Sequence, residues 1–474
     1  MNMILTMSSF IFPIITFPYI ARVLQPAGTG RVSFATSFIL YFIIISQLGI
    51  PTYGIRECAK VRDDRNKLTK TVHELLMISI IMSLVSYAVL FILIYTVPRL
   101  QDDRTLLIIT SLSIILNTIG MEWLYKGLEQ YTFITVRSIA FKLISVIAMF
   151  LLIHGEKDYV LYGAICMFAG YGSNVVNIIY SRKFIDVTIA GKYDLRRHLK
   201  PVMVFFAMSC ATTIYVNLDT VMLGFMTGDK EVGYYHASVR IKTILTSIIT
   251  SLGAVLLPRL SYYIERGEEE KFREVCMKSF RFVTAAAVPA MAYFMLFARE
   301  AIRFIAGKDY AGSVLPMQIM MPTVLFIGIT NIIGIQIFIP YGKEKTVLMS
   351  VTAGAIVDLI INLILIPVYG SSGAAAGTVT AEFVVLIIQW IIFKKELPPG
   401  FFRELHIPGI IAALGAAILS SFWVKGLDLG SFLKIAVSGT LFFAAYILVF
   451  LLMGGAGDTK LPALLKGGGF RKNR

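Results

Sequence analysis

The stretch Asn117-Thr118-Ile119-Gly120-Met121-Glu122-Trp123-Leu124-Tyr125-Lys126-Gly127-Leu128-Glu129-Gln130-Tyr131, followed by Ile134-Thr135-Val136-Arg137 and then Lys142, lies between two long apolar runs. It places an acid, Glu122, and two bases, Arg137 and Lys142, where a bilayer rarely tolerates charge. A charge at membrane depth costs roughly 2.5–3.5 kcal/mol on insertion scales, so it meets a partner or a water-filled cavity. The chain around this stretch has 474 residues, 57% of them hydrophobic and only 15% charged. A soluble domain carries about 25% charged residues, so the balance indicates an all-α polytopic membrane protein.

About 20 apolar residues are needed for a helix to cross the bilayer. That ruler predicts about fourteen transmembrane helices, near 3–21, 32–54, 75–96, 105–123, 132–153, 160–181, 201–225, 234–258, 279–300, 314–340, 346–367, 371–393, 407–424 and 433–453. The first span begins at once and has no basic n-region, so a cleaved signal peptide is not expected. The lack of a polar lead leaves open a start slightly upstream. No segment is long and polar enough for a separate soluble domain.

The net charge of +15 is explained by loops that retain bases on the cytoplasmic side rather than by nucleic-acid binding. One alternate set of loops holds roughly 29 Lys and Arg and the other about 8, which orients the first set, and both termini, to the cytoplasm. Cys58, Cys166, Cys210 and Cys276 show no CxxC spacing, and the five histidines form no paired motif. Neither a disulfide framework nor a metal site is indicated, and no nucleotide-binding signature or cofactor motif occurs. The first outer loop, Arg22 to Arg31, contains no Asp or Glu, which argues against a membrane glycosyltransferase, and no paired catalytic constellation on the outer face supports a polymerase or an acyltransferase.

A weak internal repeat runs through the chain. Gly30-Arg31-Val32-Ser33-Phe34-Ala35 and the later Leu48-Gly49 correspond to Gly233-Tyr234-Tyr235-His236-Ala237 and Leu252-Gly253. Parallel repeats build carriers with a central site between two halves. The expected organisation is an N-lobe at 1–195 with six helices, a C-lobe at 196–400 with six more, and two C-terminal helices and a cytoplasmic tail at 401–474.

Few ionisable residues fall inside the spans. Lys142, Arg240, Lys242 and Arg137 are the candidate substrate-binding bases, with Arg137 near enough to Glu122 to pair with it. Arg240 and Lys242 are two residues apart and point to roughly opposite helix faces. The acids Glu122, Asp219, Asp358 and Glu382 are candidates for ion coupling or for structural pairing. Asn362 lies one turn beyond Asp358 on the same face. Gly373 and Gly377 form a GxxxG step for close helix contact. Pro13 and Pro18, and Pro316, Pro322 and Pro340, mark expected kinks.

Several blocks carry a family resemblance. They are Phe12-Pro13-Ile14-Ile15-Thr16-Phe17-Pro18-Tyr19-Ile20-Ala21-Arg22-Val23-Leu24, the Glu122-to-Glu129 block with Ile134-Thr135-Val136-Arg137, His198-Leu199-Lys200-Pro201, and Ile214-Tyr215-Val216-Asn217-Leu218-Asp219-Thr220-Val221-Met222-Leu223-Gly224. Together the chain resembles the polysaccharide repeat-unit, O-antigen type flippases of the MOP exporter superfamily. Asn362-Leu363-Ile364-Leu365-Ile366-Pro367, Gly370, Gly373-Ala374-Ala375 and Glu382 are shared more widely in that superfamily. The resemblance implies a MOP/MATE-like fold of two six-helix lobes plus two helices, in the bacterial cytoplasmic (inner) membrane. It implies transport of an undecaprenyl-pyrophosphate-linked oligosaccharide for surface polysaccharide such as O-antigen, lipopolysaccharide or capsule, with lobe-facing bases on the pyrophosphate. Membrane lipids, a polysaccharide polymerase and chain-length proteins are the implied partners. A multidrug/cation exporter or a lipid II-type flippase of the same superfamily is the alternative; buried bases argue against the exporter.

The orientation is checked by cysteine labelling. With the four native cysteines replaced, Arg62→Cys and Arg266→Cys are expected to react only from the cytoplasm and Asp102→Cys from outside. External labelling at position 266 in intact cells overturns the assignment.

Overall fold

The computed structural model describes residues 2–188, 192–394 and 405–454, except the side chains of 2–11, 252, 254 and 255. Among the described residues every regular element is a helix. Twelve helices are long and apolar enough to cross a membrane, or thirteen when the bent pair Lys308–Met320 and Pro322–Phe338 counts as one span. The first candidate, Phe12–Val61, runs for 50 residues, about 75 Å at 1.5 Å per residue, against a hydrocarbon core of about 30 Å. It is long enough for the two crossings expected there, so the count of fourteen is approximate. The loop 394–403 beyond Lys394, the expected boundary at 400/401 and the tail 455–474 lie outside the described residues.

The break in the first long helix falls at Gln25 (φ 57°, ψ 180°), not at Pro13 or Pro18. Pro26 follows, and a proline disfavours the helical conformation in the residue before it. The bend in the later pair, 43°, falls where Pro322 opens the second helix. Asp64 accepts from the Lys67 backbone N–H at 3.0 Å and caps Arg65–Thr96. That hydrogen bond holds its carboxyl below the ordinary range.

The packing divides the chain into two compact units. One comprises Met1–Ile244, Ile302–Thr323 and Leu348–Val385; the other comprises Leu245–Ala301, Val324–Val347 and Leu386–Arg474. In the first unit, Phe34, Phe38, Ile39, Leu107, Leu223 and Ile366 share one buried cluster, and Tyr53, Leu75, Trp123 and Val202 share another. In the second unit, the helices Ile407–Phe422 and Ser431–Leu452 pack on Glu269–Leu296 through Tyr293, Phe297, Ala413, Ala417 and Phe442. The Tyr293 hydroxyl donates to Ile435 O at 2.9 Å there.

The Glu122-Trp123-Leu124-Tyr125-Lys126-Gly127 block forms a short helix of its own, set off by Met121 in a left-handed conformation (φ 42°). It docks on the helix Ile50–Val61. A Cβ on Gly54 would stand 2.7 Å from the Trp123 ring, and one on Gly127 would stand 2.9 Å from the Cys58 side chain. Tyr125 donates to Asn177 O and stacks among Phe133, Tyr180 and Phe184. Most of the block is therefore packing.

The two glycines that align in the internal repeat meet the opening turn of each other's helix. A Cβ on Gly30 would lie 1.7 Å from Asp229 O, and one on Gly233 would lie 2.0 Å from Pro26 O. Backbone atoms cannot step aside as a side-chain tip can. Gly30→Ala and Gly233→Ala are each expected to destabilise the protein by about 1–3 kcal/mol through overpacking, read as a lower melting temperature in detergent. Gly415→Ala, with nothing within 4 Å, should leave the melting temperature unchanged. Equal melting of all three variants would remove the backbone contact from the account.

Candidate functional site

The charged residues singled out in the sequence fall into three groups, all within the first unit. The first group is built around Asp219, which is buried on the helix Arg196–Met226. Its carboxylate accepts from the Tyr235 hydroxyl, from Thr378 Oγ1 at 2.8 Å and from Asn362 Nδ2 at 2.6 Å. The donors come from three other helices, Asp229–Glu265, Ser371–Phe393 and Glu344–Tyr369. Asp358, one turn before Asn362, lies within hydrogen-bonding reach of Asp219. Like charges repel strongly in a low dielectric, and Lys242, which also acts on Asp358, offsets part of that repulsion.

Gly377 makes room for this cluster. A Cβ there would lie 2.2 Å from Asn362 Oδ1 and 3.0 Å from Asp358 Oδ1. Gly373, one step earlier, would meet Leu365 O at 2.4 Å, so the GxxxG step brings the two helices into backbone contact. Glu382 accepts from the Tyr215 hydroxyl at 2.7 Å. Lys242 acts electrostatically on both Asp358 and Glu382.

The second group is centred on Arg240. Its guanidinium lies over the Phe17 ring, 5.7 Å from the centroid, and acts electrostatically on His236, Tyr162 and Cys166. Its buried Nε and the His236 Nδ1 have no hydrogen-bond partner. The helix turns about 200° over two residues, which explains why Arg240 joins Phe17 while Lys242 joins the acids.

The third group gathers at Glu122. Lys126 pairs with it at 2.8 Å, Arg137 faces it at 3.7 Å, and its charge acts on Lys142. Arg137 is buried and donates to Ser173 O and Asn174 Oδ1, both at 3.1 Å. The four candidate bases are thus spread over three groups: Arg137 and Lys142 in one, Arg240 in another, Lys242 with the acids.

Two further ionic clusters escaped the sequence reading because their residues sit at span ends, where charge needs no explanation. Arg31 approaches Asp103 at 3.6 Å and Asp229 at 3.3 Å, and Arg99 pairs with the same two acids. Arg99 also donates to Gly224 O at 2.8 Å and lies over Phe34. The Gly30–Asp229 backbone approach lies beside this network. The other cluster surrounds Glu74, which is fully buried. It accepts from the Asp194 N–H, from Arg197 and from His198, whose other ring nitrogen meets the Tyr53 hydroxyl at 2.8 Å. The His198-Leu199-Lys200-Pro201 block, one of those that carry the family resemblance, contributes the histidine. Among the described residues, no three His, Cys, Asp or Glu side chains are placed to hold a metal ion together. A cation at Asp219 would draw on the amide and hydroxyl oxygens beside it.

Membrane-spanning helices bearing buried, grouped charges define a multi-pass membrane transporter. The fold matches solved transporters: the lipid II flippase MurJ in an inward closed conformation has TM-score 0.73 at 16% identity, over 95% of this chain and 97% of that one. A multidrug resistance MATE family transporter of the MOP superfamily, in an inward-facing conformation, has TM-score 0.60 at 14% identity, over 80% of this chain and 94% of that one. The family described as polysaccharide biosynthesis protein matches residues 1–264, and the MatE family matches 205–382. A protein of Escherichia coli (strain K12) named as a candidate O-antigen transporter is 22% identical over 391 residues, 82% of this chain and 94% of its own length. A Treponema pallidum (strain Nichols) protein named as a candidate lipid II flippase is 23% identical over 34% of this chain and 31% of its own. The chain belongs to the family described as polysaccharide biosynthesis protein.

Asp219→Ala strands the Tyr235, Asn362 and Thr378 donors together, at about 1–3 kcal/mol for each that finds no water. Its melting temperature is expected to fall well below that of Asp219→Asn, which keeps the side-chain volume and one oxygen acceptor. The reverse order in thermal unfolding would show that the three hydrogen bonds are not what holds these helices.

Proposed function

We propose that the protein is a flippase that moves undecaprenyl-pyrophosphate-linked oligosaccharide repeat units across the bacterial cytoplasmic membrane by alternating access, for surface polysaccharide biosynthesis. The observation that carries this reading is Arg240: a guanidinium on a membrane-spanning helix, over Phe17, whose buried Nε has no hydrogen-bond partner. A pyrophosphate leaving water for a low-dielectric passage needs fixed cations to offset its lost hydration. Lys142 and Lys242 add charge of the same sign, and Arg137 serves as a lesser contact because Glu122 partly neutralises it. The family membership and the relatives named for O-antigen transport and lipid II flipping support the substrate class.

Two features support alternating access. The helix turns at Gly30 and Gly233, packed backbone to backbone and flanked by the Arg31–Arg99–Asp103–Asp229 network, form a closure at the side we assign as outer. The lobes 1–195 and 196–400 are the parts we assign to the motion. Asp219, Asp358 and Glu382 form the coupling site, where a proton or a monovalent cation exchanges as the protein changes state.

A second reading, a cation-coupled exporter, draws on that acid cluster and on the MATE-like fold. The bases decide between the two, because an exporter of cationic drugs gains nothing from Arg240.

The test is complementation of a strain lacking the gene. Lys142→Ala, Arg240→Ala and Lys242→Ala should insert normally and impair surface polysaccharide, with Lys142→Arg retaining more function than Lys142→Ala and Arg299→Ala mattering less. Full export by the triple Ala variant at native expression would end the cationic-passage reading. Asp358→Asn should slow gradient-driven transport and spare substrate binding; transport indifferent to both proton and sodium gradients would end the coupling reading alone.

A further inference from the structure

We propose that the second unit holds a binding site for an anionic phospholipid of the bilayer. A cavity of about 340 Å³ opens there between the first turns of Glu269–Leu296, the end of the helical segment Asn331–Phe338 with the turn after it, and Phe393 at the end of Ser371–Phe393. That volume is within the range of about 300–1,000 Å³ typical of small-molecule sites. Its walls are apolar: Phe272, Cys276 and Phe280 follow one face of the first helix, and Phe393 stacks on Phe280 with ring centroids 5.6 Å apart. Each of these four is nearly inaccessible to solvent.

The mouth has a different chemistry. Arg273 is exposed on the first helix, and Lys343 stands on the opposing turn. The Lys343 ammonium lies 5.9 Å from the centroids of both Phe338 and Tyr341, which holds it at the opening. Glu269 is the one acid lining the cavity, so the bases leave a net positive mouth over an apolar interior.

Membrane position selects the occupant. One helix begins here and two end here, so the mouth lies at a single membrane face, at the level of the headgroups. Basic pockets between membrane helices hold anionic lipid headgroups, each base near the surface adding on the order of 1 kcal/mol. A free phosphate would satisfy Arg273 and Lys343 but leave the aromatic walls without a ligand. A zwitterionic lipid would fill the walls but bring a choline to two cations. A phospholipid with a net negative headgroup satisfies both, its phosphate at the bases and the upper part of an acyl chain between Phe272, Phe280 and Phe393.

The experiment titrates the purified full-length protein with dioleoyl phosphatidylglycerol, dioleoyl phosphatidylcholine or inorganic phosphate, reading apparent affinity from thermal unfolding. Phosphatidylglycerol is expected to bind roughly tenfold more tightly than phosphatidylcholine, and the variant Arg273→Gln/Lys343→Gln should reduce that preference to less than about threefold. Lys271→Gln/Lys278→Gln, on the same helix but outside the cavity, should keep the full preference. An equal preference lost in both double variants would mean generic surface charge and overturn the proposal. So would stabilisation by inorganic phosphate alone, or equal affinity for the two lipids. A benzophenone at position 277, which lines the cavity, should cross-link to phosphatidylglycerol; capture of a second copy of the chain instead would also overturn it.

Discussion

A carboxylate inside a bilayer has no water to fall back on, and the arrangement around Asp219 follows from that constraint. Three donors from three other helices converge on its two oxygens. Each donor would itself be costly if left unmet, because an unsatisfied polar group in hydrocarbon costs several kcal/mol. The acid therefore ties four helices together, and their positions set the distances to Asp358, Glu382 and Lys242. Replacing any member changes the environment of the rest.

Close packing is what lets these polar contacts form. Gly377 leaves the space that Asn362 and Asp358 occupy, and Gly373 lets the neighbouring helix approach to backbone contact. Gly30 and Gly233 do the same for the two repeat-related helix turns, and Gly54 does it for Trp123. Between membrane helices the hydrophobic effect is weak, since lipid is as apolar as a leucine side chain; contact and hydrogen bonding carry the association. Small residues at these points are therefore the means by which buried charges reach their partners.

The distribution of charge also divides labour. Acids and Lys242 collect on the helices Arg196–Met226, Asp229–Glu265, Glu344–Tyr369 and Ser371–Phe393, where Asp219 and Glu382 accept hydrogen bonds and Asp358 Oδ1 has no hydrogen-bond partner. Arg240, on the opposite side of the same helix as Lys242, keeps an unused donor beside Phe17. A cluster of carboxyls in a low dielectric attracts a small cation or a proton. An unsatisfied guanidinium suits an anion that arrives with its own oxygens.

Local properties made much of this readable from the chain alone. The span lengths, the all-helical class, the base-rich loops and the rarity of Glu122, Lys142, Asp219, Arg240, Asp358 and Glu382 inside apolar runs depend on nearby residues only. The opposite facing of Arg240 and Lys242 follows from helical pitch. What tertiary structure decided is which charges meet. Asn362 and Thr378 lie 143 and 159 residues from Asp219, and no local pattern points to either as its donor. The role of the Glu122–Gly127 block as a docked helix also depended on distant neighbours. The Arg31–Arg99–Asp103–Asp229 network stayed hidden for a related reason: charges at span ends cost little where they stand, so only their three-dimensional proximity reveals that they are paired.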